Sequence, residues 1–281
     1  MTALSPHPIT LPETSNFGPS LTILDNITII GWTGTPNNFL NVELSKDGGV
    51  RWGSKTTIST ETAAATPALA AGNGILYLAW TGTDADHHLN IMQSRDLSNF
   101  GGKVTLGETS DAGPSLAVFK GMLYIAWTGV GNRFLNVAQL VNGQLEQNKV
   151  TIQTETSIAA PALAADNDLL YLSWTGTDNP AHLNVMSSRD GKNFTNKVTL
   201  NETSKFAPAL TEEAGRLYLG WTGVDNNFLN SVFSIDQGRT FEGKVTDQAN
   251  TSLAGIALSA RGLAGWTGTD AGHHLNVKQG V

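Results

Sequence analysis

Short apolar runs separated by polar, glycine-rich segments recur along the whole chain. From Lys103 to Asn148, such runs lie at Val104–Leu106, Pro114–Val118, Leu123–Trp127 and Phe134–Leu140. They are rich in the β-branched and aromatic residues that are typical of strands. The 3.6-residue spacing of apolar positions that marks an amphipathic helix is absent. The pattern therefore predicts four short β-strands joined by tight turns.

This four-strand pattern recurs six times, and each copy carries the tripeptide Trp-Thr-Gly. The copies are spaced by 45 to 48 residues and begin at Trp32, Trp80, Trp127, Trp174, Trp221 and Trp266. A Leu-Asn pair follows each one, at Leu40-Asn41, Leu89-Asn90, Leu135-Asn136, Leu183-Asn184, Leu229-Asn230 and Leu275-Asn276. Four strands per repeat at this period are typical of β-propeller blades. The sequence therefore predicts a single domain over residues 1–281.

The two ends of the chain predict how the propeller closes. The C-terminal segment Leu275–Lys278 ends where the third strand of the last repeat would end, whereas Pro8–Ser15 matches the fourth-strand segment Val104–Ser110. An N-terminal strand that completes the last blade would leave no blade half-built. We therefore expect an all-β fold, a six-bladed β-propeller of four-stranded blades closed in this way.

Composition restricts the classes of partner. The net charge of −7 disfavours nucleic acid and anionic membranes, because no basic patch is available to neutralise phosphates. The chain has no cysteine, which excludes thiolate sites. We expect no membrane insertion, since no run of 18 apolar residues is present, and the first 20 residues lack the apolar run of a signal peptide. A secreted and a cytoplasmic location both stay open.

A second motif lies between the predicted third and fourth strands. Ser234–Phe241 fits the pattern S-x-D-x-G-x-T-[FW], Ser45–Trp52 is close to it, and Ser94–Asp96 and Ser188–Gly191 are partial copies. In such a turn the Asp side chain accepts hydrogen bonds from backbone amides, and Gly permits positive φ. The motif resembles the Asp-box of the sialidase-like (BNR-repeat) propeller superfamily, in four of the six blades. The resemblance implies a propeller whose boxes lie far from the catalytic face.

The resemblance makes glycoside hydrolysis the first enzyme hypothesis. Sialidases use an arginine triad and a tyrosine nucleophile. Only Arg133 is expected in a loop on the catalytic face, and the other six arginines are expected in turns on the opposite face: Arg51, Arg95, Arg189, Arg216, Arg239 and Arg261. All four tyrosines lie three residues before a repeat Trp, which is a strand-packing position: Tyr77, Tyr124, Tyr171 and Tyr218. We therefore expect no sialidase activity and no catalytic residues.

Acidic residues recur in the repeat and bear on a second kind of glycosidase. The equivalent positions are Glu13, Glu61, Glu108, Glu155 and Glu202, with Asn250 in the sixth repeat. Acid–base catalysis by two carboxylates needs two different environments at one point. Near-identical copies instead indicate repeated binding sites, so a degenerate glycoside hydrolase is the less favoured hypothesis.

Histidine and phenylalanine alternate before the Leu-Asn pairs. His88, His182 and His274 hold this position in three repeats, and Phe39, Phe134 and Phe228 hold it in the other three. Three histidines could in principle bind zinc. However, the start of a third strand lies about 10 Å outside the innermost strand, because neighbouring strands are about 4.8 Å apart. We therefore predict no metal site and no cofactor.

The loops after the second strand and the connections between blades are expected to share one face. They combine aromatic rings with Asp, Asn, Glu and His, a combination typical of carbohydrate sites. Repeated sites would also multiply a weak affinity for each sugar through avidity. The candidate ligand-binding residues are Asp84, His87, His88, Asn90, Glu108, Asp178, His182, Asn184, Glu202, Asp225, Asn227, Asp270, His273, His274, Trp80, Trp127, Trp174 and Trp221. The predicted partners are glycans, bound at several equivalent sites.

A structural role is the alternative for several of these residues. The Trp rings can pack between blades, and the Asn and Glu side chains can satisfy buried turn amides. The loop residues that differ between repeats are therefore the better candidates for ligand contact. The leading hypothesis is a non-enzymatic, lectin-like propeller, and a protein-interaction or scaffold propeller is the alternative.

Overall fold

The computed structural model describes residues 7–145 and 149–280 of the chain. The strands form six antiparallel sheets, as the repeat predicts. Among the described residues, no helix has the length and apolarity needed to cross a membrane.

Each sheet is one blade. Blade 1 contains β2 (Ser20–Leu24), β3 (Ile27–Thr33), β4 (Phe39–Ser45) and β5 (Gly53–Thr62). Blade 2 contains β6 (Ala68–Gly72), β7 (Ile75–Thr81), β8 (His88–Ser94) and β9 (Gly101–Thr109). Blade 3 contains β10 (Ser115–Phe119), β11 (Met122–Thr128), β12 (Phe134–Val141), the short β13 (Gln144–Leu145) and β14 (Val150–Thr156). Blade 4 contains β15 (Ala162–Ala165), β16 (Leu170–Thr175), β17 (His182–Ser188) and β18 (Thr195–Thr203). Blade 5 contains β19 (Ala209–Glu213), β20 (Arg216–Thr222), β21 (Phe228–Ser234) and β22 (Glu242–Thr251). Blade 6 contains β23 (Ala257–Ser259), β24 (Leu263–Thr267), β25 (His274–Gln279) and, from the other end of the chain, β1 (Ile9–Thr14).

The N-terminal strand closes the ring, as predicted. β1 pairs antiparallel with β25, with Ile9 opposite Val277 and Thr14 opposite His274. The first strand of each blade packs against the first strands of both neighbouring blades, in the circular order β2, β6, β10, β15, β19 and β23. The loops that follow the second strands therefore lie on one face, together with the connections between blades. The turns between strands one and two and between strands three and four lie on the other.

The apolar core lies between blades. One cluster joins Leu89 and Leu106 of blade 2 to Leu116, Ile125 and Trp127 of blade 3. All six repeat Trp side chains are at most 2% exposed. Burial of each large apolar side chain contributes about 1.5–3 kcal/mol, so this packing holds neighbouring blades together.

The repeated motifs also link the blades through hydrogen bonds. The Thr of each Trp-Thr-Gly donates its hydroxyl to a carbonyl of the following blade connection, as Thr81 does to Ala112 at 2.6 Å. The same bond forms at the other five repeats, from Thr33, Thr128, Thr175, Thr222 and Thr267. Gly82 is needed because a Cβ there would lie 2.5 Å from the Asp84 carboxylate and 3.0 Å from the Asn90 amide. The tripeptide thus lies at the end of the second strand and links neighbouring blades.

The Asn of each Leu-Asn pair links the loop between the second and third strands to the fourth strand. Asn184 donates from Nδ2 to the carbonyl of His182 at 2.9 Å and accepts from the Thr199 hydroxyl at 2.7 Å. Asn41, Asn90, Asn136, Asn230 and Asn276 make the same two bonds. Both polar groups of this side chain are thus used inside the blade.

Candidate ligand-binding pockets between blades

An ion pair joins the outer strands at most blade junctions. Glu61 of blade 1 accepts a hydrogen bond from Lys103 of blade 2 at 2.6 Å. The Lys103 Nζ also lies 5.7 Å from the centroid of the Trp80 ring. Four other junctions repeat this arrangement, with the pairs Glu13–Lys55, Glu108–Lys149, Glu155–Lys197 and Glu202–Lys244 beside Trp32, Trp127, Trp174 and Trp221. The Trp rings thus pack against a cation of their own blade.

The loops at these junctions are of two kinds. In blades 2, 4 and 6 the residue that begins the third strand is a His whose Nδ1 bonds to an Asp four residues earlier, with separations of 2.7, 2.5 and 2.6 Å in Asp84–His88, Asp178–His182 and Asp270–His274. In blades 1, 3 and 5 a Phe takes that place, and an Asn two residues earlier accepts from its backbone N–H, in Asn37–Phe39, Asn132–Phe134 and Asn226–Phe228. We call the junctions before blades 2, 4 and 6 the His junctions, and the others the Phe junctions.

Loop length accounts for the difference. Ten positions separate Trp80 from Asn90 in a His loop, but nine separate Trp32 from Asn41 in a Phe loop. The extra residue places the Asp carboxylate beside the imidazole of the His as well as its backbone N–H.

Each Asp–His pair is a polarised group at the surface. Partial desolvation raises the pKa of Asp84, but hydrogen bonds from the His88 ring and backbone outweigh it, so the pKa lies below its ordinary value. The same balance holds for Asp178, and for Asp270 the ring hydrogen bond is the larger effect. The carboxylates are therefore ionised. With Nδ1 bonded to Asp, the His88 Nε2 is the ring atom that can contact a ligand.

A cavity of about 480 Å³ opens at the junction of blades 1 and 2. Among the residues that line it are Glu61, Asp84, His88 and Lys103, with Trp80 and Asn90 beside them. Thr62 and Thr83 link the two blades at its edge, with their hydroxyl oxygens 2.6 Å apart. The other His junctions contain the same threonine pair, Thr156–Thr177 and Thr251–Thr269. The structure thus brings four predicted site residues together, and adds Glu61 and Lys103 to them.

The third His junction, between blades 5 and 6, has a different ion pair. Asn250 replaces the Glu, and Pro8, just before the closing strand β1, stands where the other blades have Lys. Lys278, on the third strand, instead pairs with Asp247 at 2.6 Å, and both side chains are largely buried. The Asp270–His274 pair is kept there.

Several other predicted residues lie outside the pocket or have partners within the fold. His87 bonds to Asp111 at 2.9 Å and is not among the residues that line the cavity. Likewise His273 bonds to Asn16 at 3.0 Å. Asp225 forms an exposed ion pair with Lys205 at 3.1 Å. Asn227 has a φ of +56° and its carbonyl accepts from the backbone of Ser252, which indicates a role in the turn.

The Trp and Asn candidates are placed as the structural alternative predicts. The rings of Trp80, Trp127, Trp174 and Trp221 are at most 1% exposed. Asn90 and Asn184 are each 4% exposed, and both use their polar groups within the blade. Glu108 and Glu202 lie at Phe junctions, paired with Lys149 and Lys244. These observations favour packing over ligand contact for the buried Trp and Asn side chains.

A second cavity, of about 400 Å³, surrounds the propeller axis. Small apolar residues of the blade connections dominate its lining, and its charged members are Asp111 and Lys205. No arginine or tyrosine lines this cavity within the described part of the chain. The four tyrosines lie in second strands, as predicted, opposite Gln93, Gln139, Ser187 and Phe233.

A metal centre finds no support in the side-chain positions. Residues 7–145 and 149–280 contain no group of three or more His, Asp or Glu side chains that could hold a metal ion. The three predicted histidines each pair with an Asp of their own loop instead.

The fold is similar to that of several carbohydrate-active proteins. No known family model and no curated protein matches the chain. Among solved structures, the Hadza microbial sialidase Hz136 matches with a TM-score of 0.66 and 14% identity, over 94% of this chain and 65% of that one. An α-L-arabinofuranosidase of Clostridium thermocellum matches with a TM-score of 0.56 and 15% identity, over 85% of this chain and 94% of that one. The SapL1 lectin, solved with alpha methyl fucoside, matches with a TM-score of 0.65 and 10% identity, over 90% of this chain and 88% of that one.

Similarity at 10–15% sequence identity establishes the fold of this chain but not its function. The chain has the sialidase-like propeller fold that its turn motif indicated, and it spans less than two thirds of the length of the sialidase. In this fold, the pockets between blades are separate from the cavity on the axis.

Proposed function

We propose that the protein is a non-enzymatic, lectin-like propeller that binds glycans at its three His junctions. The observation that carries this proposal is the Asp–His pair, which recurs with the same geometry at three junctions and lines a 480 Å³ cavity at the junction of blades 1 and 2. The paired Glu and Lys side chains of that cavity are shared between two blades. The similarity of the fold to a lectin and to glycosidases supports carbohydrate as the class of ligand.

The chemistry of the cavity suits a sugar with neighbouring hydroxyl groups. Carboxylates accept hydrogen bonds at both oxygens, and an ammonium group donates up to three. Asp84 and Glu61 would accept from sugar hydroxyls, while Lys103 and the His88 ring would contact hydroxyl oxygens. Hydrogen bonds to charged groups contribute about 1.5–3 kcal/mol each, so a few of them give a weak individual site.

Several sites on one ring would compensate for weak individual binding. The His junctions alternate with Phe junctions around the propeller, so they are spread over one face. A glycan surface that engages two or three of them at once would bind through avidity. We propose multivalent recognition of a surface rather than tight capture of a single sugar.

The repetition of the Asp–His pair also supports binding over catalysis. A glycosidase needs one asymmetric pair of carboxylates, whereas the Asp–His pair is copied three times. Five arginines lie in turns on the opposite face, Arg216 begins β20 at that face instead of lying in the turn before it, and Arg133 alone lies in a loop after a second strand. We therefore propose binding without turnover.

A glycan array tests the proposal with two proteins. One is the natural chain, and the other carries His88→Phe, His182→Phe and His274→Phe, which place at each His junction the residue that the alternate blades use. We expect glycan binding by the first and its loss in the second, with unchanged thermal unfolding. No glycan bound at high protein density, together with a discrete protein partner in pull-downs, would favour the scaffold alternative. Turnover of chromogenic glycosides that depends on one carboxylate but not on its equivalents would favour an enzyme.

A further inference from the structure

A polar cavity of about 230 Å³ lies at the junction of blades 4 and 5, on the face opposite the His-junction loops. Arg189, in the turn after β17, and Arg239, in the turn after β21, both line it. Asn193, Asn196 and Gln237 contribute amide side chains to the same cavity. An arginine from each of two blades thus lines one small polar cavity, together with Asp190.

Neither guanidinium group has a partner in the described part of the chain. The side chains of Arg189 and Arg239 form no hydrogen bond, ion pair or ring contact among residues 7–145 and 149–280. Two other arginines do have partners: Arg216 lies 5.0 Å from the Phe233 ring, and Arg261 donates to Asn26. The donors of Arg189 and Arg239 are therefore available to a ligand.

The nearest turn carboxylates are held by their own turns. Asp190 accepts from the Asn193 and Lys192 amides at 2.8 and 2.9 Å and from the Asn193 side chain at 2.7 Å. These bonds, led by the Asn193 backbone, hold the pKa of Asp190 well below its ordinary value. Asp190 forms no hydrogen bond or ion pair with Arg189 or Arg239 in the described part of the chain.

Asp236 is held in the same way in the next blade. It accepts from the Thr240 amide at 2.9 Å and from the Thr240 hydroxyl at 2.7 Å, which lower the pKa of Asp236 to about 2. Asp166, in the neighbouring turn, is bonded by the Tyr171 hydroxyl and by two turn amides. These carboxylates accept hydrogen bonds within their turns, and none of them forms an ion pair with Arg189 or Arg239 in the described part of the chain.

The corresponding cavity between blades 2 and 3 has no second arginine among its described lining residues. At the junction of blades 2 and 3, Arg95 occupies the place of Arg189, but blade 3 contributes Asn142 and Gly143 instead of an arginine. One arginine therefore lines that cavity, whereas two line the cavity between blades 4 and 5. It supplies a natural control within the same chain.

We propose that Arg189 and Arg239 form an oxyanion-binding site for a sulfate, phosphate or carboxylate group. Two guanidinium groups can contact different oxygens of one such group, a geometry for which arginine is better suited than lysine. The site is separate from the His junctions, so it does not depend on glycan binding there. It would add an anionic group to what this propeller recognises.

The test follows the arginine Nε–H signals by NMR during titration with sodium sulfate, phosphate or acetate at matched ionic strength. We expect saturable shifts of the Arg189 and Arg239 signals together, and a smaller, non-saturating shift of Arg95. Arg189→Gln should weaken anion binding at Arg239 by about tenfold, which corresponds to about 1.4 kcal/mol, and Arg95→Gln should leave it unchanged. The anion with the lowest dissociation constant identifies the group. Shifts at Arg189 and Arg239 that do not saturate, or that match those of Arg95 for all three anions, would overturn the proposal.

Discussion

The Nδ1 atom of His88 lies 2.7 Å from Oδ1 of Asp84, on a loop that faces the junction of blades 1 and 2. The same carboxylate oxygen is 3.2 Å from the His88 backbone nitrogen. Both the ring and the backbone of His88 are therefore oriented by one side chain.

Gly82→Ala should disturb the loop that carries Asp84 and His88. An alanine Cβ at this position would lie 2.5 Å from the Asp84 carboxylate and 3.0 Å from the Asn90 amide, so the Asp84 side chain must move away from His88. We expect glycan binding at the junction of blades 1 and 2 to weaken by about tenfold or more, since a hydrogen bond to a charged group contributes about 1.5–3 kcal/mol. The measurement is calorimetric titration, with Gly107→Ala as control, because a Cβ there meets nothing within 4 Å. Equal effects of both substitutions would contradict this role of Gly82.

Asn184→Ala should destabilise the fold. It removes the bonds to the His182 carbonyl and the Thr199 hydroxyl, and leaves both groups without that partner. Loss of partners for buried polar groups costs about 1–3 kcal/mol, so we expect the free energy of unfolding in denaturant to fall by at least that much. Asn201→Ala, at an exposed position of β18, should change it little. A similar loss in both variants would show that the Leu-Asn asparagine has no special structural role.

Glu43→Met should stabilise the protein at neutral pH. Glu43 is 9% exposed, and its Oε2 has no hydrogen-bond partner within the described residues. Burial, and then the charge of Glu13, raise the pKa of Glu43 above its ordinary value of 4.5, while Lys55 opposes them. Methionine is the residue at the equivalent positions 92 and 186. We expect a gain of about 1–3 kcal/mol in the free energy of unfolding, the usual cost of burying a polar group without a partner.

The gain in stability from Glu43→Met should depend on pH, and this dependence tests its physical cause. A raised pKa means that the folded chain holds the Glu43 proton more tightly than the unfolded chain does. The stability from this proton is fully present below pH 4.5 and is lost as pH rises through the folded pKa. The advantage of Glu43→Met should therefore grow with pH from the acid side, whereas Glu242→Met, at an exposed position, should show no such trend. A constant difference between Glu43→Met and the natural protein across this range would contradict the assignment.

The Asp247–Lys278 ion pair of blade 6 should stabilise the closure of the ring. Asp247 and Lys278 are 8% and 17% exposed at the side chain, and their Oδ2 and Nζ atoms are 2.6 Å apart. Removing one partner of a buried pair costs about 3–5 kcal/mol, so Lys278→Met should lower thermal stability strongly. Lys205→Met breaks only the exposed pair with Asp225 and should have little effect. Equal changes in the melting temperature would show that the pair does not stabilise the closure of the ring.

The repeat made the fold predictable from sequence. Trp80, Thr81 and Gly82 recur at a fixed period, and Pro8–Ser15 repeats a fourth-strand segment, so the blade count and the closure both follow from the pattern. The positions of His88 and Asp84 on one loop were likewise predicted. Each blade forms the same hydrogen bonds and uses the same residues for them, so the motif recurs along the chain.

Contacts between blades were less accessible to sequence reasoning. The pairing of Glu61 with Lys103 joins residues 42 positions apart and depends on how two blades pack. The one-residue difference in loop length was visible in the sequence, but only the structure connects it with the bond from Asp84 to the His88 ring. The burial of Trp80 also depends on packing, which explains why ligand contact and packing were both open for this ring.

The central claim is most directly tested by the number of sugars that one chain binds. Isothermal titration with a glycan that binds in the array should give up to three sites per chain in the natural protein. His88→Phe should remove one site, and His88→Phe with His182→Phe should remove two, while Phe134→His, at a Phe junction, should leave the number unchanged. A stoichiometry that stays the same after both His substitutions, in variants with unchanged melting temperature, would contradict binding at the His junctions.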